Sequence, residues 1–123
     1  MEMSRLTGKT VSDIKEHMIE TAKEYAIQHS CICILKDART VVTDGQKVYI
    51  NCTGNDGMST GGSGDVLTGL IAGMAAIGLD AFDAACLSVY VHGKAGDLAA
   101  QQKGRTGMTA SDIAEAIAYV LKR

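Results

Sequence analysis

The stretch "TGNDGMSTGGSGDVLTGLIAG", Thr53 to Gly73, crowds glycines in front of an apolar run and sets Asp65 at the join. The run predicts a helix over Asp65–Ile77. The first turn of a helix carries N–H groups with no intrahelical partner and about half a unit of positive charge, so it gathers anions. Glycines at 61, 62 and 64 let several such N–H groups converge with no side chain in the way. Asp65 then poses a problem, because a fixed carboxylate repels a phosphate and a merely phosphate-binding loop would avoid it. A base aimed at a hydroxyl, beside a pocket that stabilises phosphoryl charge, is what hydroxyl phosphorylation requires. The plainer alternative is a tight linker followed by a helix-capping acid, favourable by about 0.3–1 kcal/mol.

Three glycine motifs fail against this string. A Walker A loop needs lysine and a hydroxyl residue after its second glycine, and Gly62 is followed by Ser63 and Gly64. A dinucleotide fingerprint needs a third glycine where Leu67 stands. A nucleophile elbow at Gly61–Asp65 ends on Asp65 instead of glycine and has no strand leading into it, which argues against Ser63 as a nucleophile.

The rest of the chain supplies the context. With 123 residues it is one domain at most, and a net charge of −2 offers no basic stripe for a nucleic acid or an anionic membrane. No apolar stretch approaches a bilayer span and no leader opens the chain, so a cytoplasmic protein is expected. Cys31, Cys33, Cys52 and Cys86 show no metal-type spacing and read as buried free thiols, with Cys31 and Cys33 on one face of a strand. "NCT" at Asn51 matches the glycosylation pattern but has no secretion signal beside it. Proline is absent, which leaves glycine as the strong punctuation.

Val11 to His29 reads as one amphipathic helix, opened by the capping pattern "TVSD". Cys31–Leu35 runs apolar without alternation, like a strand of a parallel sheet buried on both faces. Thr40–Thr43 and Lys47–Ile50 flank Asp44-Gly45 and predict a hairpin. Helices follow over Asp65–Ile77, Ala81–Gln101 and Ser111–Leu121, the last capped by "TASD" and facing Ile113, Ile117, Val120 and Leu121 inward. A short sheet and about four helices make an α/β chain whose sheet is too small for its helices, as though strands were missing. His92 reads as a packing or hydrogen-bonding residue, His17 and His29 as solvent-facing, and Met74 and Met108 as core.

The string "NCTGNDGMSTGGSGDVLTGLIAGMAAIG", with "EMSRL" at Glu2–Leu6, "KDART" at Lys36–Thr40 and "VHGKAGDLAA" at Val91–Ala100, resembles the ADP/ATP-dependent NAD(P)H-hydrate dehydratases of the ribokinase-like superfamily, also labelled carbohydrate-kinase-like. That resemblance implies a partial three-layer α/β/α fold, with this chain corresponding to the C-terminal half of the family domain. It implies dehydration of NAD(P)H hydrate at the cost of ADP or ATP, the C6 hydroxyl being phosphorylated so that phosphate leaves in place of hydroxide. Asp65 would then be the base contacting the hydrate, Gly61, Gly62 and Gly64 would lie at the nucleotide phosphates, and Lys36, Asp37, Ala38, Arg39 and Thr40 would line the nucleotide site. Asp37 departs from the family glycine and puts a carboxylate near a polyanion, a repulsion that Mg2+ carried by the nucleotide would soften. The resemblance further implies homotetramers, and residues gripping the nicotinamide that lie largely in the other half of the family domain. Two other readings compete: a small-molecule kinase of the same superfamily, against which the extended glycine string speaks, and a non-catalytic nucleotide-binding fragment pairing through a sheet edge.

Overall fold

The computed structural model describes residues 1–122, which separate into two compact units, Met1–Ile50 and the described residues from Asn51 onward.

The first unit carries α1 (Glu2–Thr7), α2 (Val11–Glu16), α3 (Met18–His29) and the strands β1 (Cys33–Leu35), β2 (Val41–Thr43) and β3 (Val48–Ile50). The single helix expected over Val11–His29 is broken at His17, whose φ of −130° and ψ of 47° fit neither flanking helix. No glycine or proline marks the break. His17 instead closes α2 by donating its N–H to the carbonyls of Asp13 and Ile14, sets its ring Nδ1 3.2 Å from the same Asp13 carbonyl, and starts α3 by accepting from Thr21. Thr10 caps α2 as expected, accepting from the Asp13 N–H. Beneath α3 lies a core of Ile14, Ala22, Ala26, Cys33, Leu35 and Val41, flanked by Met3, Met18, Ile19 and Tyr25.

The sheet runs β1-β2-β3 and is antiparallel throughout, which corrects the parallel reading of β1. The connection over 36–40 is too short for a crossover to a parallel neighbour, which takes about a dozen residues. Pairing sets Cys33 opposite Thr43 and Leu35 opposite Val41, then Val41 opposite Ile50 and Thr43 opposite Val48. The hairpin is present: Gly45 adopts φ +99°, and Asp44 Oδ1 accepts from the N–H groups of Gln46 and Lys47. Cys31 falls outside β1 and is exposed, so the two thiols share no strand face; Cys52 is exposed too, and Cys33 is the buried one.

The second unit holds a 3₁₀ turn (Asp56–Met58), α4 (Ser63–Ala76), α5 (Ala81–Lys103) and α6 (Ala110–Val120). With the unexpected α1 and the broken helix, the described residues form six α-helices where about four were expected. Helix α5 is lined with small residues, and its Ala95 and Ala99 join Met108, Ile113 and Ala116 in the core against α6. The box at Thr109 is complete, with reciprocal bonds between Thr109 and Asp112. Ile117 and Val120 pack on this core, whereas Leu121, expected inside, is 45% exposed because α6 ends one residue before it. Met74 and Met108 are buried as expected, and His17 and His29 are exposed. Among the described residues no helix is long and apolar enough to cross a membrane.

Candidate active site

The glycine-rich stretch folds as an irregular segment lying across α5, delivering the chain into α4. Close approach is possible because α5 presents glycines there. A Cβ on Gly93 would stand 2.7 Å from the Thr53 carbonyl carbon and collide with its Oγ1, and one on Gly96 would run into the Met58 side chain. Polar bonds fix the entry. Asp97 of α5 accepts from the Gly54 N–H and from Asn55 Nδ2, both at 3.0 Å, and Asn55 Oδ1 accepts from the Gly57 N–H. Thr53 Oγ1 lies 3.0 Å from the Tyr90 carbonyl and 3.1 Å from Asn51 Oδ1, and Gly54 takes φ +101°.

The exit forms the helix end. Gly62 is the N-cap of α4 with φ +87°, left-handed backbone that a β-carbon resists, and no side chain caps the helix. Ser63 donates to the Thr60 carbonyl, but the N–H groups of Gly62, Gly64 and Asp65 find no acceptor among the described residues. These are first-turn amides of a 14-residue helix, the arrangement that collects anions. A Cβ on exposed Gly61 would meet open space, so that side of the loop is clear for a ligand. Asp65 stands at the third helical position, exposed, with no hydrogen bond or ion pair to its carboxylate among the described residues. Ser63, by contrast, is buried against His92 of α5, which agrees with its not being a nucleophile.

Structure therefore brings Gly61, Gly62, Gly64 and Asp65 together at one helix end. Lys36–Thr40 form the β1–β2 connection of the first unit, all exposed except the half-buried Thr40. Lys36 and Asp37 line a cavity of about 550 Å³ shared with Met3, Leu6, Ile14 and Leu35, so the "EMSRL" and "KDART" segments meet there. Ala38, Arg39 and Thr40 are not part of that lining. The Asp37 carboxylate is turned onto its own loop, accepting the Ala38 N–H at 2.8 Å. Sequence reasoning placed His92 only as a packing or bonding residue and passed over Asn55, Gly93, Gly96 and Asp97. The spacing of His92, Gly93, Gly96 and Asp97 in "VHGKAGD", with small residues between polar ones on a long helix, is the one signal that could have exposed those four.

Comparison with known proteins identifies the family. Residues 1–119 match the family described as NAD(P)H-hydrate dehydratase. The chain is 52% identical over 123 residues, 98% of its length and 23% of the relative's, to the bifunctional NAD(P)H-hydrate repair enzyme Nnr of Moorella thermoacetica. It is 33% identical to the ADP-dependent (S)-NAD(P)H-hydrate dehydratase of Neisseria meningitidis, over 99% of this chain and 42% of that protein. It superposes with a TM-score of 0.92, at 32% identity, on the ADP/ATP-dependent NAD(P)H-hydrate dehydratase of Bacillus subtilis co-crystallised with ATP/Mg2+ and soaked with CoA, covering 97% of this chain and 44% of that one. The chain thus spans less than half the length of each of these proteins.

Proposed function

This chain belongs to the NAD(P)H-hydrate dehydratase family, and from that premise we propose that it carries the phosphate-binding loop and the base for ADP- or ATP-dependent dehydration of (6S)-NAD(P)H hydrate. The observation that carries the reading is the end of α4, where unclaimed amides of Gly62, Gly64 and Asp65 stand beside the unclaimed Asp65 carboxylate. A nucleotide bound there supplies the phosphoryl group that turns the C6 hydroxyl into a leaving group. The loop amides hold the charge that builds on the phosphoryl oxygens, and Asp65 takes the hydroxyl proton as that oxygen attacks phosphorus. Phosphate then departs with the C–O electron pair, assisted by the ring nitrogen, and loss of the C5 proton restores the reduced nicotinamide.

The donor set suits a phosphate chain that brings its own Mg2+. The loop offers main-chain amides and one carboxylate, and among the described residues no group of three His, Cys, Asp or Glu could hold a metal. In the same reading residues 1–123 are the C-terminal half of one ribokinase-like domain, Lys36–Thr40 line the nucleotide site, and the protein is a cytoplasmic homotetramer, an assembly that light scattering checks. The decisive experiment uses a chimera in which this chain replaces the matching part of the Bacillus subtilis enzyme. Incubated with hydrated NADH and ADP or ATP, it is expected to generate NADH absorbance. Asp65→Asn should abolish that turnover and leave nucleotide binding, measured by calorimetry, unchanged. Turnover by the Asn variant, or loss of both properties, overturns the assignment.

A further inference from the structure

We infer that His92 is a positioning residue for the phosphate-binding amides, holding the first turn of α4 from the neighbouring helix; the inference rests on reading that helix end as a phosphate site. Glycine-built loops have the most backbone freedom to lose, so some interaction must hold Gly61, Gly62 and Gly64 in register. Their own turn contributes little. Gly62 has no side chain to cap the helix, and the turn closes with single bonds from Ser63 to Thr60 at 3.3 Å and from Val66 to Gly62 at 3.1 Å.

Ser63 lies between Gly62 and Gly64, and its carbonyl is where α5 takes hold. His92 Nε2 stands 3.0 Å from that carbonyl and 3.4 Å from Ser63 Oγ. A carbonyl only accepts, so the contact requires Nε2 to carry the proton and donate. Donor and acceptor are both buried, His92 being 5% and Ser63 3% exposed, so water does not compete for the bond. The same helix holds the entry of the loop five residues on, where Asp97 binds Gly54 and Asn55. Between these two points Gly93 and Gly96 let the loop lie against the helix. Thus residues 92–97 of α5 grip the glycine stretch at both ends, and the end that carries Gly62, Gly64 and Asp65 depends on His92.

Four variants of the chain separate positioning from simple stability: His92→Leu, His92→Gln, Ser63→Ala and, as a core control on α5, Val89→Ala. Binding of ADP is measured by calorimetry, and the order of the glycine amides by ¹⁵N relaxation in the free chain. His92→Leu should weaken ADP binding by about tenfold or more, the scale of one lost buried hydrogen bond. It should also lower the order parameters of Gly61, Gly62 and Gly64 to below about 0.6 while the rest of α5 stays rigid. His92→Gln, whose amide nitrogen reaches the same carbonyl, should restore most of both, and Ser63→Ala should change little because the acceptor is main chain. Val89→Ala should lower the melting temperature without touching either readout. Ordered glycine amides in His92→Leu, or equal losses in Val89→Ala, overturn the positioning role. If the unsubstituted chain binds no ADP, the phosphate-site reading falls, and the relaxation data alone decide whether His92 orders the loop.

Discussion

Replacing Gly93 by alanine tests the packing on which the site is built. The added Cβ would lie 2.7 Å from the Thr53 carbonyl carbon and 2.8 Å from its Cβ, besides colliding with Oγ1. Carbon atoms rest at about 3.5 Å or more, so the Thr53 backbone must retreat by roughly 0.8 Å, and it cannot do so by turning a side chain. Overpacking of this kind costs about 1–3 kcal/mol. Retreat also strains the bond between Thr53 Oγ1 and the Tyr90 carbonyl, about 1 kcal/mol more, while alanine returns about 1 kcal/mol in helix propensity. The net expectation is a loss of about 2 kcal/mol, read from urea denaturation as a lower midpoint at constant slope. Gly69→Ala and Gly73→Ala are the matched controls: both sit in α4, a Cβ there meets nothing within 4 Å, and each should gain about 0.5–1 kcal/mol. Gly96→Ala should fall between, because what it meets is the flexible Met58 side chain. A Gly93→Ala variant as stable as Gly73→Ala would refute the claim that α5 is glycine-built to receive the loop.

Thr109→Ala should cost about 1 kcal/mol in the same assay, since Thr109 accepts the Asp112 N–H at the start of α6. The Asp112 carboxyl is held down to about 2, first by the hydrogen bond from Lys103 and then by the Thr109 N–H and hydroxyl. A carboxyl held below its ordinary value stabilises the fold above that value and loses the contribution as pH falls to about 2, so Asp112→Asn should flatten the acid limb of the stability curve. Burial, and then the neighbouring Cys31, push the Cys33 thiol up to about 11. That contribution is present below the ordinary thiol value and is lost as pH rises to about 11, a slope that Cys33→Ala should remove. In the folded chain near neutral pH a thiol-reactive dye should label exposed Cys31 and Cys52 and reach Cys33 only on unfolding.

What the sequence disclosed follows the range of the interactions involved. The hairpin was legible because Asp44-Gly45 sets its turn locally, and α4, α5 and α6 because apolar runs and caps such as Thr109-Asp112 act within a few residues. The break at His17 left no trace because a ring nitrogen and a backbone N–H sharing one carbonyl do not alter the hydrophobic period. The direction of β1 was misread because a continuous apolar run reports burial on both faces and not the sense of its neighbour. For the site, the glycines and Asp65 stood in one string, whereas His92 and Asp97 act on residues 29 to 43 positions away. Such contacts exist only once α5 has docked against the loop.

One comparison inside the molecule sets the capping acid at position 112 beside the proposed base at position 65. Asp65 and Asp112 occupy the same third position of their helices, α4 and α6. Asp112 behaves as a cap should: its carboxylate takes the Thr109 N–H at 2.8 Å and the Thr109 hydroxyl at 2.9 Å, and a Lys103 ammonium besides. Asp80 likewise turns its carboxylate onto the Phe82 N–H to open α5. At the head of α4 the N-cap is Gly62, which has no hydroxyl to share, and among the described residues the Asp65 carboxylate takes no N–H. An acid kept for capping would face a partner able to complete the box, and Gly62 offers no side chain for that. The helix end therefore forgoes its cap and leaves both the amides and the carboxylate unspent, the condition under which one can hold a phosphoryl group while the other receives a proton.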